Sequence, residues 1–187
     1  MMKTIQWAQF TWDLAKSAPG RPALPPSFSI RRATLDDEEA IRSVILSAFT
    51  LDSEWNSFFF LIRPLFETSM DELFGQNSEP LCLVVSHGSR VIGASGLSVE
   101  RDACNHLLTG PCLSLEYRNR GIATAMLAHS LSFLREAGLT SVRGLTKEST
   151  AAAQFIYPKF GSVHAPAPDS IVAELHKRRS EPQKKGA

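Results

Sequence analysis

The spacing of apolar and polar side chains predicts a chain in which strands and helices follow one another. Residues 28–33 alternate as a first strand, and Thr34 followed by four acidic residues predicts a helix start. Apolar positions over 41–48 then recur at helical spacing. Two apolar runs, 81–86 and 90–99, flank a glycine-containing turn and predict a β-hairpin.

The second half of the chain continues this pattern. A strand at 111–115 leads through a polar turn into a helix that begins after Gly121 and stops at Gly138. The segment 140–146 is the next predicted strand, and the following loop enters a helix that continues through Tyr157. Two closing strands are expected at 161–165 and 170–176.

The ends of the chain differ from its centre. Residues 1–27 are expected to form an N-terminal arm, in which 3–17 make a short helix that packs on its own domain and 17–27 a proline-rich linker. The main domain is predicted over 28–176, and 177–187 form a basic tail that we expect to be disordered.

Residues 52–74 carry the densest group of aromatic and aliphatic side chains. They predict one or two helices, with Pro64 near a break or in a first turn. Two interpretations stay open for these side chains. They could shape an apolar pocket, or most of them could belong to the core, so that only the exposed remainder lines a site.

Composition narrows the class of protein. The chain has 187 residues, 43% hydrophobic and 21% charged, which suits one globular domain. A net charge of +1 argues against nucleic-acid binding, and no apolar run is long enough to cross a membrane. Three cysteines without a CxxC pair make a disulfide framework or a zinc site unexpected, so a cytoplasmic location is predicted.

The strand–turn–helix around Gly121 carries the clearest chemistry. A helix start leaves backbone N–H groups without partners, and the positive end of the helix dipole adds to them, so this turn suits a phosphate. Gly121 permits close approach of a ligand to the backbone, while Arg118 and Arg120 add positive charge. Solvated arginines on an ordinary turn are the alternative.

Four segments of the chain resemble the GNAT superfamily of acyl-CoA-dependent N-acyltransferases. Residues 118–123, Arg-Asn-Arg-Gly-Ile-Ala, fit the family pattern Gln/Arg-x-x-Gly-x-Gly/Ala. Residues 30–37 resemble the family's opening strand and helix, and Val-Ile-Gly at 91–93 its hairpin strand. Residues 150–162 keep the alanine, hydrophobic residue, tyrosine and glycine of a further family motif, with Thr150 in the place of asparagine and Ser162 in the place of phenylalanine.

The resemblance implies an α/β (α+β) fold with a central mixed, mostly antiparallel sheet flanked by helices. It also implies transfer of an acetyl group from acetyl-CoA, used as co-substrate without a metal, to a primary amine by direct attack in a ternary complex. The acceptor is expected to be a small molecule or a peptide, not a nucleic acid or a membrane. Family members often form dimers, so a homodimer stays open.

The same resemblance assigns roles to residues of this chain. Cys112 and Leu113 would bind the pantetheine arm through their backbone, with Thr150 also contacting it. Tyr157 would act as general acid toward the leaving thiolate, and His106 is a candidate general base. The pyrophosphate would be held by the turn residues Arg118, Asn119, Arg120, Gly121, Ile122, Ala123 and Thr124.

Two other functions stay open beside the enzyme. A non-catalytic acyl-CoA-binding or regulatory module would keep the phosphate turn but lack turnover, which the changes at Thr150 and Ser162 and the lack of an obvious base would suit. A nucleotide-binding module is less favoured, because neither a Gly-x-Gly-x-x-Gly nor a Gly-x-x-x-x-Gly-Lys-Ser/Thr motif occurs between a strand and a helix.

Overall fold

The computed structural model describes residues 5–16, 19–75 and 79–173 of the chain. The strands are β1 Trp7–Asp13, β2 Phe28–Arg32, β3 Cys82–His87, β4 Arg90–Gly96, β5 Cys112–Leu113, β6 Ser141–Lys147 and β7 Val163–Pro166. The α-helices are α1 Glu38–Thr50, α2 Phe59–Phe74 and α3 Ile122–Glu136, joined by short 3₁₀ turns at Leu35–Asp37, Asn56–Phe58 and Leu115–Tyr117. A π-helical turn covers Ala152–Ile156.

Two antiparallel sheets form the centre of the fold. The four-stranded sheet has the order β2-β3-β4-β5, and the three-stranded sheet has the order β6-β1-β7. The predicted α/β fold is therefore confirmed, with the central sheet divided in two. The predicted hairpin is β3 and β4, while β5 is only two residues long, shorter than the strand expected at 111–115.

Both faces of the four-stranded sheet are covered. Along β3, Val84 contributes to a core cluster with α1 and α2. Its neighbours Leu83 and Val85 contribute to clusters that contain α3 residues. Successive side chains of a strand point to opposite faces, so a strand buried on both sides carries a continuous apolar run. The run that predicted this strand is explained by that burial.

The described part of the N-terminal segment contains a strand, β1, and not the helix predicted over 3–17; residues 3, 4 and 17 lie outside the described residues. β1 lies between β6 and β7, with Trp7 opposite Lys147 and Ala8 opposite Pro166. The side chains that alternate along it are fully buried in one core cluster: Ala8, Phe10, Trp12 and Leu14. A helical reading would put these residues on different faces, whereas a period of two puts them on one. The N-terminal segment is thus a part of the central core.

Two further predictions need correction. Pro64 lies inside α2, and neither at a break nor in the first turn. The helix continues because its next turns bury Phe66 and Met70 in the core, which offsets the one backbone hydrogen bond that proline cannot donate. Residues 169–173 are helical, so the strand expected at 170–176 is wrong for its described part. Residues 174–176 and the predicted tail 177–187 lie outside the described residues.

The described part of the proline-rich segment, residues 19–27, contacts α3 and the core beneath it. Arg21 forms an ion pair of 3.1 Å with Glu136 at the end of that helix, and Leu24 packs against the cluster below its first turn. In the described part of the chain, no helix is long and apolar enough to cross a membrane.

Candidate functional site

A cavity of about 1170 Å³ opens where the two sheets separate. Among the described residues, β5 is the edge of one sheet and β6 the edge of the other, and no strand pairing joins them. The segment after Leu97, the turn before α3 and the π-helical turn complete the wall. Side chains on the walls of this cavity include Trp7, Phe49, Trp55, Leu65, Phe66, Cys112, Leu113, Thr146, Thr150, Tyr157 and Lys159.

The turn before α3 presents its backbone N–H groups to one end of this cavity. Asn119 and Gly121 both have left-handed backbone conformations, with φ of 60° and 76°. Within the described chain, the amides from Asn119 to Thr124 have no hydrogen-bond acceptor. Consecutive amides that curve in this way, at the positive end of a helix dipole, form an anion-binding concavity. The predicted phosphate turn therefore has donors to offer.

Arg118 belongs to the scaffold of this turn. Its guanidinium donates to the Asp52 carboxylate at 2.9 Å and to the Ala48 carbonyl at 2.9 Å. Ala48 lies in the last turn of α1, where carbonyl groups lack helical partners. The arginine thus ties the turn to the end of α1, and its charge is balanced by Asp52.

Arg120 is exposed and folds back on its own turn. It donates to the Glu116 carbonyl at 3.0 Å, and its guanidinium lies 5.6 Å from the ring centre of Tyr117. The sequence assigned the positive charge of this site to these two arginines. In the structure, Arg118 is bound to Asp52, and Arg120 lies against the protein surface.

Tyr157 lies at the back of the cavity, 2% exposed. Phe10 and Trp12 of β1 meet its ring edge-on, at centroid distances of 5.4 Å and 5.5 Å. Such aromatic pairs hold a ring in one orientation. Gly110 sits beside the hydroxyl, because a Cβ added to this glycine would lie 2.7 Å from the Tyr157 oxygen. Glycine is needed there for close approach and for its positive φ of 64°.

The Tyr157 hydroxyl has no hydrogen-bond partner among the described residues, and it is not sealed from the cavity. Burial raises its pKa well above the ordinary value of 10, with a smaller contribution from the neighbouring Cys112 thiol. Burial also raises the pKa of Cys112 to about 12, although Arg118 lowers it. Both groups are therefore protonated at neutral pH.

Thr150 stabilises the entry to the π-helical turn. Its hydroxyl donates to the Lys147 carbonyl at 2.8 Å and accepts from the Ala153 N–H at 3.2 Å. A second hydroxyl, that of Thr146, lies 3.2 Å away. The residue lines the cavity, but its side-chain oxygen is occupied by the turn that leads to Tyr157.

His106 does not line the cavity, although its neighbours Asn105 and Leu107 do, and it is fully buried. The Arg143 N–H donates to its Nδ1 at 2.9 Å, so Nε2 carries the proton and donates to the Glu100 carbonyl at 3.0 Å. Burial lowers its pKa and keeps the ring neutral. With both nitrogens engaged by backbone, His106 offers no free lone pair to an acceptor amine, unlike the base that the sequence suggested.

The same histidine helps to join the two sheets. Its backbone N–H donates to the Arg143 carbonyl at 2.8 Å. Asn105 accepts from the Leu145 N–H at 3.1 Å. These hydrogen bonds connect the loop before β5 to β6, although β5 itself does not pair with β6. The loop that contains His106 therefore joins the two sheets at one end of the cavity.

The structure thus brings together the turn before α3, Cys112 and Leu113, Thr150 and Tyr157 around one cavity, and His106 is not among the residues that line it. Part of the aromatic segment also lines it, through Trp55 and Phe66. Sequence analysis missed the contributions of Gly110 and of β1. The Gly110-Pro111 pair was a visible turn signal, as was the strict alternation along residues 8–14.

Solved structures share this architecture. A GCN5-related N-acetyltransferase from Sphaerobacter thermophilus matches with a TM-score of 0.57 at 16% identity, over 87% of this chain and 49% of its own. A Drosophila protein matches with a TM-score of 0.60 at 12% identity, over 87% and 48%. A GCN5-related N-acetyltransferase from Kribbella flavida matches at 0.51 and 13%, over 91% and 62%. The chain spans about half the length of the first two, and the likeness shows that it has the fold of this class.

The sequence itself identifies the family. The model of the GNAT acetyltransferase family matches residues 47–161. The chain belongs to that family, which confirms the resemblance drawn from its motifs. A search of curated proteins found no match. Within the described residues, no group of three or more His, Cys, Asp or Glu side chains is arranged to hold a metal ion.

Proposed function

We propose that the protein is an acetyl-CoA-dependent N-acetyltransferase that moves the acetyl group to a primary amine by direct attack in a ternary complex. The observation that carries the proposal is the Tyr157 hydroxyl, which is unpartnered within the described chain and faces the same cavity as the unpaired amides of the phosphate turn. One cavity thus offers donors for the coenzyme's phosphates and a proton for its sulfur.

The donor half of the cavity supports binding of coenzyme A. The pyrophosphate would accept from the amides between Asn119 and Thr124, where the dipole of α3 adds to their attraction. The outer edge of β5 is not paired with another strand in the described chain, so the pantetheine arm would add to it through the backbone of Cys112 and Leu113. The residues present therefore fit this co-substrate.

The chemistry that we propose is one acyl transfer. A neutral amine nitrogen attacks the acyl carbonyl carbon, the carbon–sulfur bond breaks, and Tyr157 gives its proton to the departing sulfur. The proton that the attacking nitrogen then releases restores the Tyr157 hydroxyl. The raised pKa of Tyr157 keeps that proton in place through the working pH range. Cys112 is protonated as well, with a pKa of about 12, which argues against an acyl-cysteine intermediate and supports direct attack.

The amine must lose its own proton before it attacks. We propose no side chain for this step, because the ring nitrogens of His106 are both engaged by backbone groups. The fraction of neutral amine then controls the rate, so kcat/KM should rise with pH toward the pKa of the acceptor. No descending limb from Tyr157 is expected below about pH 10, because its pKa is raised above the ordinary value.

The proposal is tested by calorimetric titration with acetyl-CoA, followed by turnover against a panel of amines. Tyr157→Phe should bind acetyl-CoA as the wild type does and lower kcat by about 10²-fold or more, the usual contribution of a general acid. Tyr117→Phe is the matched control, since that tyrosine contacts His87 on the surface and should keep full activity.

Two outcomes would contradict the proposal. Binding of acetyl-CoA without turnover of any amine would favour the non-catalytic module. Absence of acetyl-CoA binding by folded protein would remove the donor site altogether.

A further inference from the structure

The phosphate turn is bordered by three basic side chains, and two of them are engaged by protein. Arg118 is bound to Asp52 and to the end of α1. Arg120 lies against Tyr117 and the Glu116 carbonyl. The third is Lys159, which forms no ion pair with any described carboxylate and contributes to the cavity wall.

Lys159 reaches the first turn of α3 from the opposite side of the gap. Its ammonium lies 3.4 Å from the hydroxyl of Thr124. The backbone N–H of Thr124 is one of the amides without an acceptor in the described chain. An ammonium at this place adds a full charge to the partial charges of the turn and the helix dipole.

The backbone of Lys159 is fixed by the N-terminal strand. The indole N–H of Trp12 donates to the Lys159 carbonyl at 2.9 Å, and Trp12 is fully buried in β1. The next residue, Phe160, has a left-handed φ of 61°, which a bulky side chain adopts only when its surroundings impose it. Lys159 therefore extends from a backbone position that β1 determines.

We propose that Lys159 is the cation that binds the diphosphate of the coenzyme, and that Trp12 positions it for that contact. The inference rests on the proposed function and deepens it, since it assigns to Lys159 the charge that the sequence gave to the two arginines. The ammonium lies beside the same amides that would hold the diphosphate, and lysine binds phosphate as a compact point charge. Arg118 then positions the turn through α1 and does not need to contact the ligand.

Calorimetry with three ligands tests the assignment. In Lys159→Gln, the Kd for coenzyme A should rise about tenfold, the scale of one lost charge-assisted contact. The Kd for 3′-dephospho-coenzyme A, which keeps the diphosphate, should rise equally, and pantetheine binding should not change. Lys159→Arg should recover most of the affinity, and the affinity of the wild type should depend more steeply on salt than that of Lys159→Gln.

Two further variants separate the charge from the scaffold. Lys16→Gln removes an exposed lysine that is paired with Asp13 and lies outside the cavity lining, and it should bind as the wild type does. Trp12→Phe keeps an aromatic ring but loses the indole donor, so its Kd for coenzyme A should rise a few-fold with the thermal transition still cooperative.

Unchanged coenzyme A affinity in Lys159→Gln, or an equal loss for pantetheine, would overturn the inference while leaving the proposed function standing. A loss confined to coenzyme A, with 3′-dephospho-coenzyme A unaffected, would also overturn it, because the lysine would then serve the 3′-phosphate. If the wild type binds none of the three, the proposed function fails and the inference fails with it.

Discussion

The two sheets that border the cavity are assembled from chain segments at very different separations. In the four-stranded sheet, β3 and β4 form a hairpin closed by His87 and Arg90, and β2 pairs directly with β3. In the three-stranded sheet, Trp7 pairs with Lys147 and Ala8 with Pro166, so strands from opposite ends of the described chain lie side by side. The four-stranded sheet is the more local of the two, although α1 and α2 lie between β2 and β3 in sequence, and the three-stranded sheet is the more remote.

The difference matters because the proposed site uses both. The four-stranded sheet supplies the backbone edge at β5 and leads into the phosphate turn. The three-stranded sheet supplies the surroundings of Tyr157 and Lys159, through Phe10 and Trp12. Strands that are far apart in sequence lose more chain entropy when they pair, and the contacts that offset this loss form only afterwards. The part of the proposed site that contains Tyr157 and Lys159 therefore depends on the less local half of the fold.

The largest expected effect is at Trp12, the centre of the remote sheet. Trp12→Ala should lower the free energy of unfolding by about 3–5 kcal/mol, as for other large aromatic side chains removed from a core. Chemical denaturation at constant pH measures this. Val163→Ala on β7 is the control, since that side chain is 70% exposed and should cost less than about 0.5 kcal/mol. A loss below about 1 kcal/mol at Trp12 would mean that β1 is dispensable.

The local sheet, its helices and the strand–turn–helix around Gly121 could be predicted from the sequence. Their signals lie within a few residues of one another: the turn glycine of the hairpin, the cap at Thr34, the stop at Gly138. The structure gives Gly138 a φ of 94° just beyond the end of α3, as a helix stop requires. Short-range steric and hydrogen-bonding preferences carry enough information for such elements.

Two strands of the remote sheet, β6 and β7, match the strands predicted at 140–146 and 161–165, but β1 and its pairing could not be predicted in the same way. Gln9, Thr11 and Asp13 alternate with the buried side chains of β1, so the period of two was present. Yet a short apolar segment also fits a helix. The strands that decide between strand and helix here, β6 and β7, lie far along the chain. His106 was ambiguous for a similar reason, because only the position of β6 turns a loop histidine into a buried bridge. Whether Arg118 faces a ligand or Asp52 likewise depends on where α1 ends.

A middle-sized effect is expected where the two sheets join. His106→Ala leaves the Arg143 N–H and the Glu100 carbonyl without their partner, which should cost about 2–4 kcal/mol at pH 7. Because the folded protein lowers the pKa of His106 from 6.5, wild-type stability should decline as the pH falls below that value, and the variant should show a smaller decline. The His106→Ala variant should keep part of the pH dependence of stability, because burial also lowers the pKa of His129.

Turnover separates this role of His106 from that of a base. The folded fraction of His106→Ala should keep kcat within a few-fold of the wild type, with the same rise of kcat/KM with pH. If the variant is as stable as the wild type and yet inactive, His106 acts in the chemistry, and the join between the sheets lies elsewhere.

The smallest effect is expected where the four-stranded sheet meets α1. Arg31 on β2 makes two hydrogen bonds with Asp37, at 2.7 Å and 2.8 Å, and the same carboxylate accepts from the Thr34 N–H. The hydrogen bonds from Arg31 are the main cause that lowers the Asp37 pKa to about 2. The stabilisation is then complete above the unfolded-state pKa of 3.8 and is lost as the pH falls toward 2.

Because Arg31 is half exposed, Asp37→Asn should cost only about 1–2 kcal/mol at pH 7, measured by denaturation. The difference between wild type and variant should shrink below about pH 4. Asp36→Asn, one residue earlier and exposed, is the matched control and should change stability little at either pH. Equal losses in the two variants would mean that the helix dipole, and not the contact with β2, is the source of the effect. The contact between Arg31 and Asp37 would then stabilise the fold no more than any acidic side chain at the start of α1. The four-stranded sheet would depend even less on one contact than the three-stranded sheet depends on Trp12.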